Sequence, residues 1–283
     1  TSLGILQLAA GPAQIDRPSL GVGAAAEVVV AGDYAWVRRW AETAILIVDL
    51  TGLTVESYDF AAAPSDLVAS ADGSEVFALY VPSTILTFDA TDPTATPLVE
   101  ILPSSAATEL AMSPAADVGL LYGSGTDEAV LWTRPSDSAV VQLVKPVRDV
   151  AVASGGGSAI VVHTLADLDG VDDTFTDQYV VSVLDLTDTE LPANAITMPS
   201  LPKSWTVSSG GDFGVVTSEG SDEVVVVDLG TGLADLIEVS SPAGYVGFLP
   251  NSGTPADEIA WVSHADDLSW ISPSTGTVEA VAP

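Results

Sequence analysis

The segment EVVVVDLGTG (223–232) is the clearest copy of the sequence pattern that indicates the fold of this chain. Its four consecutive valines favour a β-strand, and the aspartate and glycines after them favour a tight turn. The same pattern, a short apolar run that ends in a polar turn, occurs five more times. These copies are AILIVDLTG (44–52), ILTFDATDP (85–93), AVLWTRPSD (129–137), VVSVLDLTD (180–188) and LSWISPSTG (268–276).

The spacing of these copies gives the length of a repeated module. Between equivalent turn residues the successive intervals are 40, 44, 52, 43 and 44 residues, and each module holds four short apolar runs. One four-stranded sheet of this kind cannot bury both faces alone and must pack against its neighbours, which indicates a β-propeller. We therefore predict an all-β fold, a β-propeller of four-stranded antiparallel blades. Six blades fit the repeats, and the alternative of seven needs a blade that the sequence does not show.

The modules follow one another without a linker, so we expect one β-propeller domain over residues 24–283. Residues 1–23 form an N-terminal segment with one strand candidate, GILQL (4–8), which we expect to close the propeller by pairing with the last sheet. The fourth module is the longest, because LADLDGVDDTFTD (165–177) is inserted between its second and third strands.

The turns of the modules also carry a resemblance. First turns such as ADGS (71–74) and SGGD (209–212), and third turns such as VDLGTG (227–232), resemble those of YVTN-type and WD40-like propeller repeats. The resemblance covers about residues 24–283 and implies the fold without implying an activity. The Gly-His pair and the Trp-Asp ending of WD40 repeats are absent, and so is a literal YVTN string.

The composition excludes several classes of function. There are 39 acidic residues, 26 Asp and 13 Glu, against 7 basic ones, a formal net charge of −32. Asp exceeds Glu because Asp side chains bond the backbone of turns, and this fold has many turns. So acidic a chain repels nucleic acid, which we exclude as a partner. Cysteine is absent, which excludes a thiolate nucleophile, a disulfide framework and covalently attached c-type haem.

The hydropathy and the lysine content of the chain indicate where the protein is found. No run approaches 18 uninterrupted apolar residues, so we predict no transmembrane segment. Only two lysines occur, and the acidic, lysine-poor composition favours an exported protein, periplasmic or on the cell surface or outside the cell. The chain would then be a mature or trimmed form.

The starts of the inner strands are the first candidate site. Close carboxylates favour a bound cation, although the same acids would also serve to cap their own turns or pair with Arg148 and Lys203. In a propeller these starts surround the mouth of the central channel. The aligned positions hold Glu27, Asp66, Glu109, Asp149, Trp205 and Tyr245.

The same loops collect most of the scarce positive charge together with aromatic residues. Arginine and aromatic side chains dominate binding hot spots, because they combine a large contact area with directional bonds. The alternative is that they fill gaps between blades and pair with nearby aspartates. This predicted binding face consists of Arg38, Arg39, Trp40, Tyr80, Tyr122, Arg148, Lys203, Trp205 and Tyr245.

The insert of module four suggests a metal. Calcium loops alternate oxygen ligands about a sharp glycine turn, and calcium is the one cofactor that the sequence leaves open. The alternative is a solvated acidic loop. The ligands would be Asp167, Asp169, Asp172 and Asp173.

Two functions remain. His163 and His264 are the only histidines, and no G-x-S-x-G elbow occurs, so we predict no catalytic residue. We favour a non-enzymatic exported propeller that binds protein partners as an interaction platform or as a subunit of a surface or envelope assembly. The alternative is a metal-dependent hydrolase of the lactonase or phytase kind that uses the carboxylates at the channel mouth.

Overall fold

A computed structural model describes residues 5–7, 14–16, 19–21, 23–80, 84–103, 107–135, 137–166, 175–188, 193–249 and 258–281. The described residues form strands and turns and contain no α-helix. The chain divides into two compact units, Thr1–Leu110 and Ala111–Pro283.

The first unit contains a small N-terminal sheet and two four-stranded sheets. The N-terminal sheet pairs β1 (Ile5–Gln7) with β2 (Gln14–Asp16). The two larger sheets are β3 (Ala25–Ala31), β4 (Tyr34–Arg39), β5 (Ala44–Asp49) and β6 (Val55–Asp59), then β7 (Pro64–Ala69), β8 (Glu75–Tyr80), β9 (Thr84–Asp89) and β10 (Leu98–Ile101).

The third and fourth sheets follow, and the division between the units falls within the first strand of the third sheet. The strands of these sheets are β11 (Glu109–Met112), β12 (Val118–Tyr122), β13 (Glu128–Thr133) and β14 (Asp137–Gln142), then β15 (Val147–Val152), β16 (Ser158–His163), β17 (Tyr179–Asp185) and β18 (Ala193–Met198).

The fifth and sixth sheets complete the second unit and repeat the same order, with each strand paired to the next one in the chain. Their strands are β19 (Pro202–Val207), β20 (Phe213–Ser218), β21 (Glu223–Asp228) and β22 (Leu233–Glu238), then β23 (Val246–Phe248), β24 (Ala260–Ser263), β25 (Leu268–Ser272) and β26 (Thr277–Val281).

The six predicted modules of four antiparallel strands are confirmed among the described residues. In the N-terminal segment, the described strands β1 and β2 pair with each other. The expectation that this segment closes the propeller stays a prediction.

The two middle strands of each sheet supply the core. In β5 the four residues Ile45–Val48 are all buried, whereas β6 is largely exposed. Buried side chains from adjacent sheets pack together within each unit. In the first unit Trp36 lies 5.1 Å from Phe88, and Tyr58 meets Phe88 edge-on at 4.9 Å, measured between ring centroids. Within each unit, adjacent sheets therefore bury apolar faces against each other.

Aspartates organise the third turns. The Oδ1 of Asp89 accepts the N–H and the hydroxyl of Thr91, and Asp185 makes the same pair of bonds with Thr187. These bonds to the charged form lower the pKa of both carboxyls. Asp228 accepts the N–H of Gly230 in the same way. Turn chemistry therefore accounts for part of the aspartate excess.

Candidate functional site

A bulge at the start of the first strand recurs in at least four sheets. In each of these sheets one residue of the first strand has no partner in the second strand, so the first strand contains one extra residue. A bulge of this kind re-aims the side chains around it. The inserted residues are Ala26, Ser65, Arg148 and Lys203.

The bulges correct the alignment of the fifth module by one residue. In the fourth sheet the skip lies between Val147 and Asp149, and in the fifth it lies between Pro202 and Ser204. The structural equivalent of Asp149 is therefore Ser204, and Trp205 comes one position later. Both modules carry the bulge at the same place, so the residue that follows the bulge marks the equivalent position. The pattern of apolar residues does not show where a bulge lies and therefore did not reveal this equivalence.

In three of the described sheets the residue after the bulge bonds the first strand of the next sheet. In the first unit Glu27 Oε2 accepts the Leu67 N–H at 2.9 Å, and Asp66 Oδ2 accepts the Leu110 N–H at 2.7 Å. In the second unit Ser204 Oγ accepts the Val246 N–H at 3.2 Å. These side chains therefore satisfy backbone donors that the sheets themselves leave unpaired.

Glu27 and Asp66 form a close carboxylate pair in the first unit. Both accept the N–H of Leu67, and Arg38 Nε donates to Glu27 Oε2 at 3.1 Å. Burial raises the pKa of Asp66 to about 7, with a further contribution from the charge of Glu27. At neutral pH the pair therefore carries less negative charge than two carboxylates in water.

The other predicted carboxylates have separate surroundings. In the second unit Asp149 Oδ1 accepts the Tyr122 hydroxyl at 3.0 Å and the N–H of Val150. Glu109 is half-buried. Among the described residues no three Asp, Glu or His side chains lie together as a metal would need. Asp167, Asp169, Asp172 and Asp173 lie outside the described residues.

Two cation–aromatic pairs lie side by side in the second unit. The guanidinium carbon of Arg148 is 5.6 Å from the centre of the Trp205 ring, and Lys203 Nζ is 5.8 Å from the centre of the Tyr245 ring. Arg148 Nη1 also donates to the carbonyl of Pro202 at 2.8 Å, which joins the two pairs. Tyr245 is 66% exposed, so the assembly is open to a partner. We call Arg148, Lys203, Trp205 and Tyr245 the cation–aromatic cluster.

The first unit presents one pair of the same kind. Trp40 is 68% exposed, and the guanidinium carbon of Arg38 is 5.9 Å from its ring centre. Unlike the cations of the cluster, Arg38 is committed to Glu27, and Arg39 lies 3.9 Å from a carboxylate oxygen of Glu42. The surface around Trp40 therefore exposes a tryptophan ring, but acidic side chains largely neutralise the charges of Arg38 and Arg39.

Two residues of the predicted binding face belong to the packing below the surface. Tyr80 is half-buried and meets Phe60 edge-on at 5.6 Å in the first unit. Tyr122 is 4% exposed, and only its hydroxyl is engaged in polar contact, with Asp149. Their rings are not offered to a partner.

Lys145 has a role that the sequence did not suggest. It is 2% exposed, and its ammonium donates to the carbonyls of Leu165, Phe175 and Gln178 at 3.1, 3.0 and 3.1 Å. These carbonyls belong to the two ends of the module-four insert. Lys145 therefore holds the base of the insert and is absent from the exposed surface.

His163 forms a buried pair with Ser182. Its Nδ1–H donates to the Lys145 carbonyl at 2.8 Å, and its Nε2 accepts the Ser182 hydroxyl at 2.7 Å. Burial lowers the pKa of His163 to about 4, so the ring is neutral at pH 7. Both side chains are fully buried, which leaves no access for a substrate. His264 and Ser269 repeat the contact at 2.8 Å in the sixth sheet. The sequence did contain a signal for this buried pair. In both modules a histidine lies at the end of the second strand and a serine lies in the third strand.

No protein-family model and no curated protein matches the chain. Solved structures do match. They include hydrazine synthase of Kuenenia stuttgartiensis, with a TM-score of 0.54 and 12% identity over 90% of this chain and 82% of that one. The dihydro-heme d1 dehydrogenase NirN in complex with DHE gives a TM-score of 0.56 and 14% identity over 92% of this chain and 56% of its own. The mitotic checkpoint complex gives a TM-score of 0.56 and 13% identity over 92% of this chain and 82% of the matched chain.

These matches define the class of fold. All three are β-propeller proteins, and at such low identity the likeness concerns the fold alone. Together with the six four-stranded sheets, they identify the chain as a six-bladed β-propeller protein. Because two of the matches are enzymes by name and the third is a regulatory complex, the fold carries no assignment of activity.

Proposed function

We propose that this chain is an exported, non-enzymatic β-propeller that binds a protein partner, as a platform or as a subunit of a surface or envelope assembly. The observation that carries the proposal is the cation–aromatic cluster of the second unit. The exposed Tyr245 ring and the half-buried Trp205 ring each contact a cation. Aromatic rings held in this way provide a large contact area at low entropic cost, as binding hot spots require.

The geometry supports the cluster as a preformed site. Arg148 is half-buried and fixed by the Pro202 carbonyl, while the ring of Tyr245 stands in solvent. Val246, directly after Tyr245, is buried and bonded to Ser204. The exposed Tyr245 ring therefore lies next to anchored backbone, which reduces the ordering cost of association.

Composition supports export and a protein partner. Two lysines and a net charge of −32 suit a protein outside the cell and disfavour nucleic acid as the ligand. The structure contains no helix, among the residues it describes, that is long and apolar enough to cross a membrane. Membership of the YVTN-type repeats, proposed on the third-turn motif, would fit the same role.

The hydrolase alternative needs carboxylates with oxygens to spare for a metal. Glu27 Oε2 already accepts from Arg38 and Leu67, and both oxygens of Asp66 accept backbone N–H groups. The structure thus engages these two carboxylates in holding strands together. A shift in thermal midpoint on adding calcium would revive the metal hypotheses, because a ligand that binds the native state stabilises it.

Photo-crosslinking tests the proposal. A benzophenone amino acid is placed at Tyr245, and at the 72% exposed Leu233 in the same unit as a matched control. We expect one discrete adduct from position 245 and none from position 233 in extracts of the source organism. The purified partner should then bind Trp205→Ala and Tyr245→Ala chains at least about tenfold more weakly, the loss expected of a hot spot. Equal crosslinking at both positions, or unchanged affinity of both variants, would overturn the proposal.

A further inference from the structure

Arg148 and Lys203 form no ion pair with an acidic residue in the described part of the chain. With 39 acidic residues against 7 basic ones, an ion pair would be the expected arrangement for each of them. Arg38 and Arg39 do form ion pairs, with Glu27 and Glu42. The charges of Arg148 and Lys203 face aromatic rings instead.

The geometry keeps Arg148 ready for an anion. The Pro202 carbonyl takes one N–H of its guanidinium, which carries five donors in a planar fork, and the Trp205 ring supports one face. A half-buried guanidinium without an anion is incompletely compensated for the water that it has lost. A carboxylate that docks at the remaining edge would make charge-assisted bonds and restore that compensation.

Lys203 adds a second charge at the same edge. It follows Pro202 directly, so the Arg148 contact brings the two cations together, and its side chain is exposed above the Tyr245 ring. Both occupy the extra position of a bulge, where side chains are turned out of the strand. The cluster thus presents two positive charges and two rings on one surface of the second unit.

We propose that this cluster binds a carboxylate-bearing peptide segment of the partner, with Arg148 and Lys203 as the carboxylate receptors and Trp205 and Tyr245 as the apolar floor. The inference rests on the proposed function, which makes the partner a protein. A long polyanion is disfavoured, because the net charge of −32 repels it as a whole. A segment with a few carboxylates meets the local positive charge, since at physiological salt the remote acids are screened beyond about 8 Å.

A titration with defined probes tests the inference. The indole N–H resonance of Trp205, assigned with a Trp205→Phe variant, is followed by NMR at physiological salt. The probes are N-acetyl-triglutamate amide and the matching triglutamine peptide. We expect the glutamate peptide to shift the Trp205 resonance with an affinity at least about tenfold above that of the glutamine peptide. Equal affinities, or no shift with either peptide, would overturn the inference, as would tighter binding of trigalacturonate, which would assign an acidic saccharide.

Charge variants provide the second test. Arg148→Gln and Lys203→Gln should each weaken the glutamate peptide several-fold, and Lys203 is exposed, so its replacement does not endanger folding. Arg134→Gln is the matched control, because Arg134 also lies over a tryptophan, Trp132, at 5.9 Å and donates to a carbonyl, that of Ala116. Equal effects of all three variants would contradict the inference.

The same variants separate the two proposals. If the crosslinked partner loses affinity for Tyr245→Ala chains but not for the double Gln variant, the partner site stands and the carboxylate assignment fails. If Trp205→Ala and Tyr245→Ala leave the partner's affinity unchanged, the proposed function itself fails.

Discussion

Single side chains in this protein stabilise the junctions between sheets. Asp66 accepts the N–H groups of Leu67 and Leu110, which lie in different strands. Ser204 accepts an N–H of the next sheet. Lys145 donates to three carbonyls at the base of an insert. In each case the backbone groups lie where regular pairing ends. Polar residues at such points contribute stability because an unsatisfied buried group is costly.

Asp66 should make the stability of the chain depend on pH. Its pKa is about 7 in the folded chain and near 3.8 in the unfolded chain. Below pH 4 both states are protonated and its contribution is complete. As the pH rises from 4 to 7 the unfolded chain releases the proton first, so the free energy of unfolding falls. Asp66→Asn should remove this fall, so that stability no longer drops between pH 4 and pH 7.5. Because the amide nitrogen cannot accept an N–H, the variant should also lose one of the two strand bonds and be less stable than the unmodified chain at pH 4.

Urea unfolding at pH 4 and pH 7.5 measures the effect. Asp72→Asn is the control of opposite sign, because bonds from Ser70 and Ser74 lower the pKa of Asp72 to about 2. That substitution should lower stability above pH 4 and matter less as the pH falls towards 2. Parallel pH curves for the Asp66→Asn variant and the unmodified chain would contradict the account of the carboxylate pair.

Lys145 should be far more important to stability than Lys203. Lys145→Met removes three charge-assisted bonds from a buried site and should cost about 2–4 kcal/mol. Lys203→Met, on an exposed side chain, should stay within about 0.5 kcal/mol. Chemical denaturation of the two variants makes the comparison. Similar free energies of unfolding would show that Lys145 does not hold the insert.

The first strands of the sheets are the elements that combine stability with recognition. Their bulges place Arg148 and Lys203 at the surface, and the next residue in each strand turns to polar partners nearby. The bulge thus turns two successive side chains in different directions, the inserted one out of the strand and the next one towards its polar partners. The same bulge recurs in several modules, whereas the side chains at it differ between modules.

Ser204→Ala tests the bond between the fifth and sixth sheets. The buried Val246 would lose the acceptor of its N–H, and we expect a loss of about 1–3 kcal/mol together with faster amide exchange at Val246. Ser274→Ala, in an exposed third turn, is the control and should be near neutral. A Ser204→Ala chain as stable as the control would show that the bond contributes nothing.

The elements were predictable from sequence because local signals define them. The second strand EVFALY (75–80) and the third-turn aspartates follow from β-propensity and turn chemistry alone. The site was predictable only in part. The structure brings Arg148 against Trp205 and Lys203 against Tyr245, while their assignment to a binding face stays a prediction. The equivalence of Ser204 with Asp149 becomes visible only when the bulges are located. The burial of Lys145 depends on contacts with residues 20 to 33 positions away, which no local pattern encodes.

At the scale of the molecule, a strongly negative chain carries two positive charges beside aromatic rings in the cation–aromatic cluster. The net charge of −32 favours solubility and repels polyanions, whereas the cluster attracts a short acidic segment at close range. The six four-stranded sheets support the cluster, and the β-propeller fold is shared with proteins of different names and roles. Function in this chain therefore resides in the positions where its modules differ.

Amide hydrogen exchange of the whole chain, with and without its crosslinked and purified partner, locates the binding site. We predict that the partner slows exchange in residues 147–150, 203–206 and 244–247, which carry the cation–aromatic cluster, and leaves the third turns at Asp185 and Asp228 unchanged. Protection confined to the third turns, or spread equally over all six sheets, would contradict the claim that this cluster is the binding site.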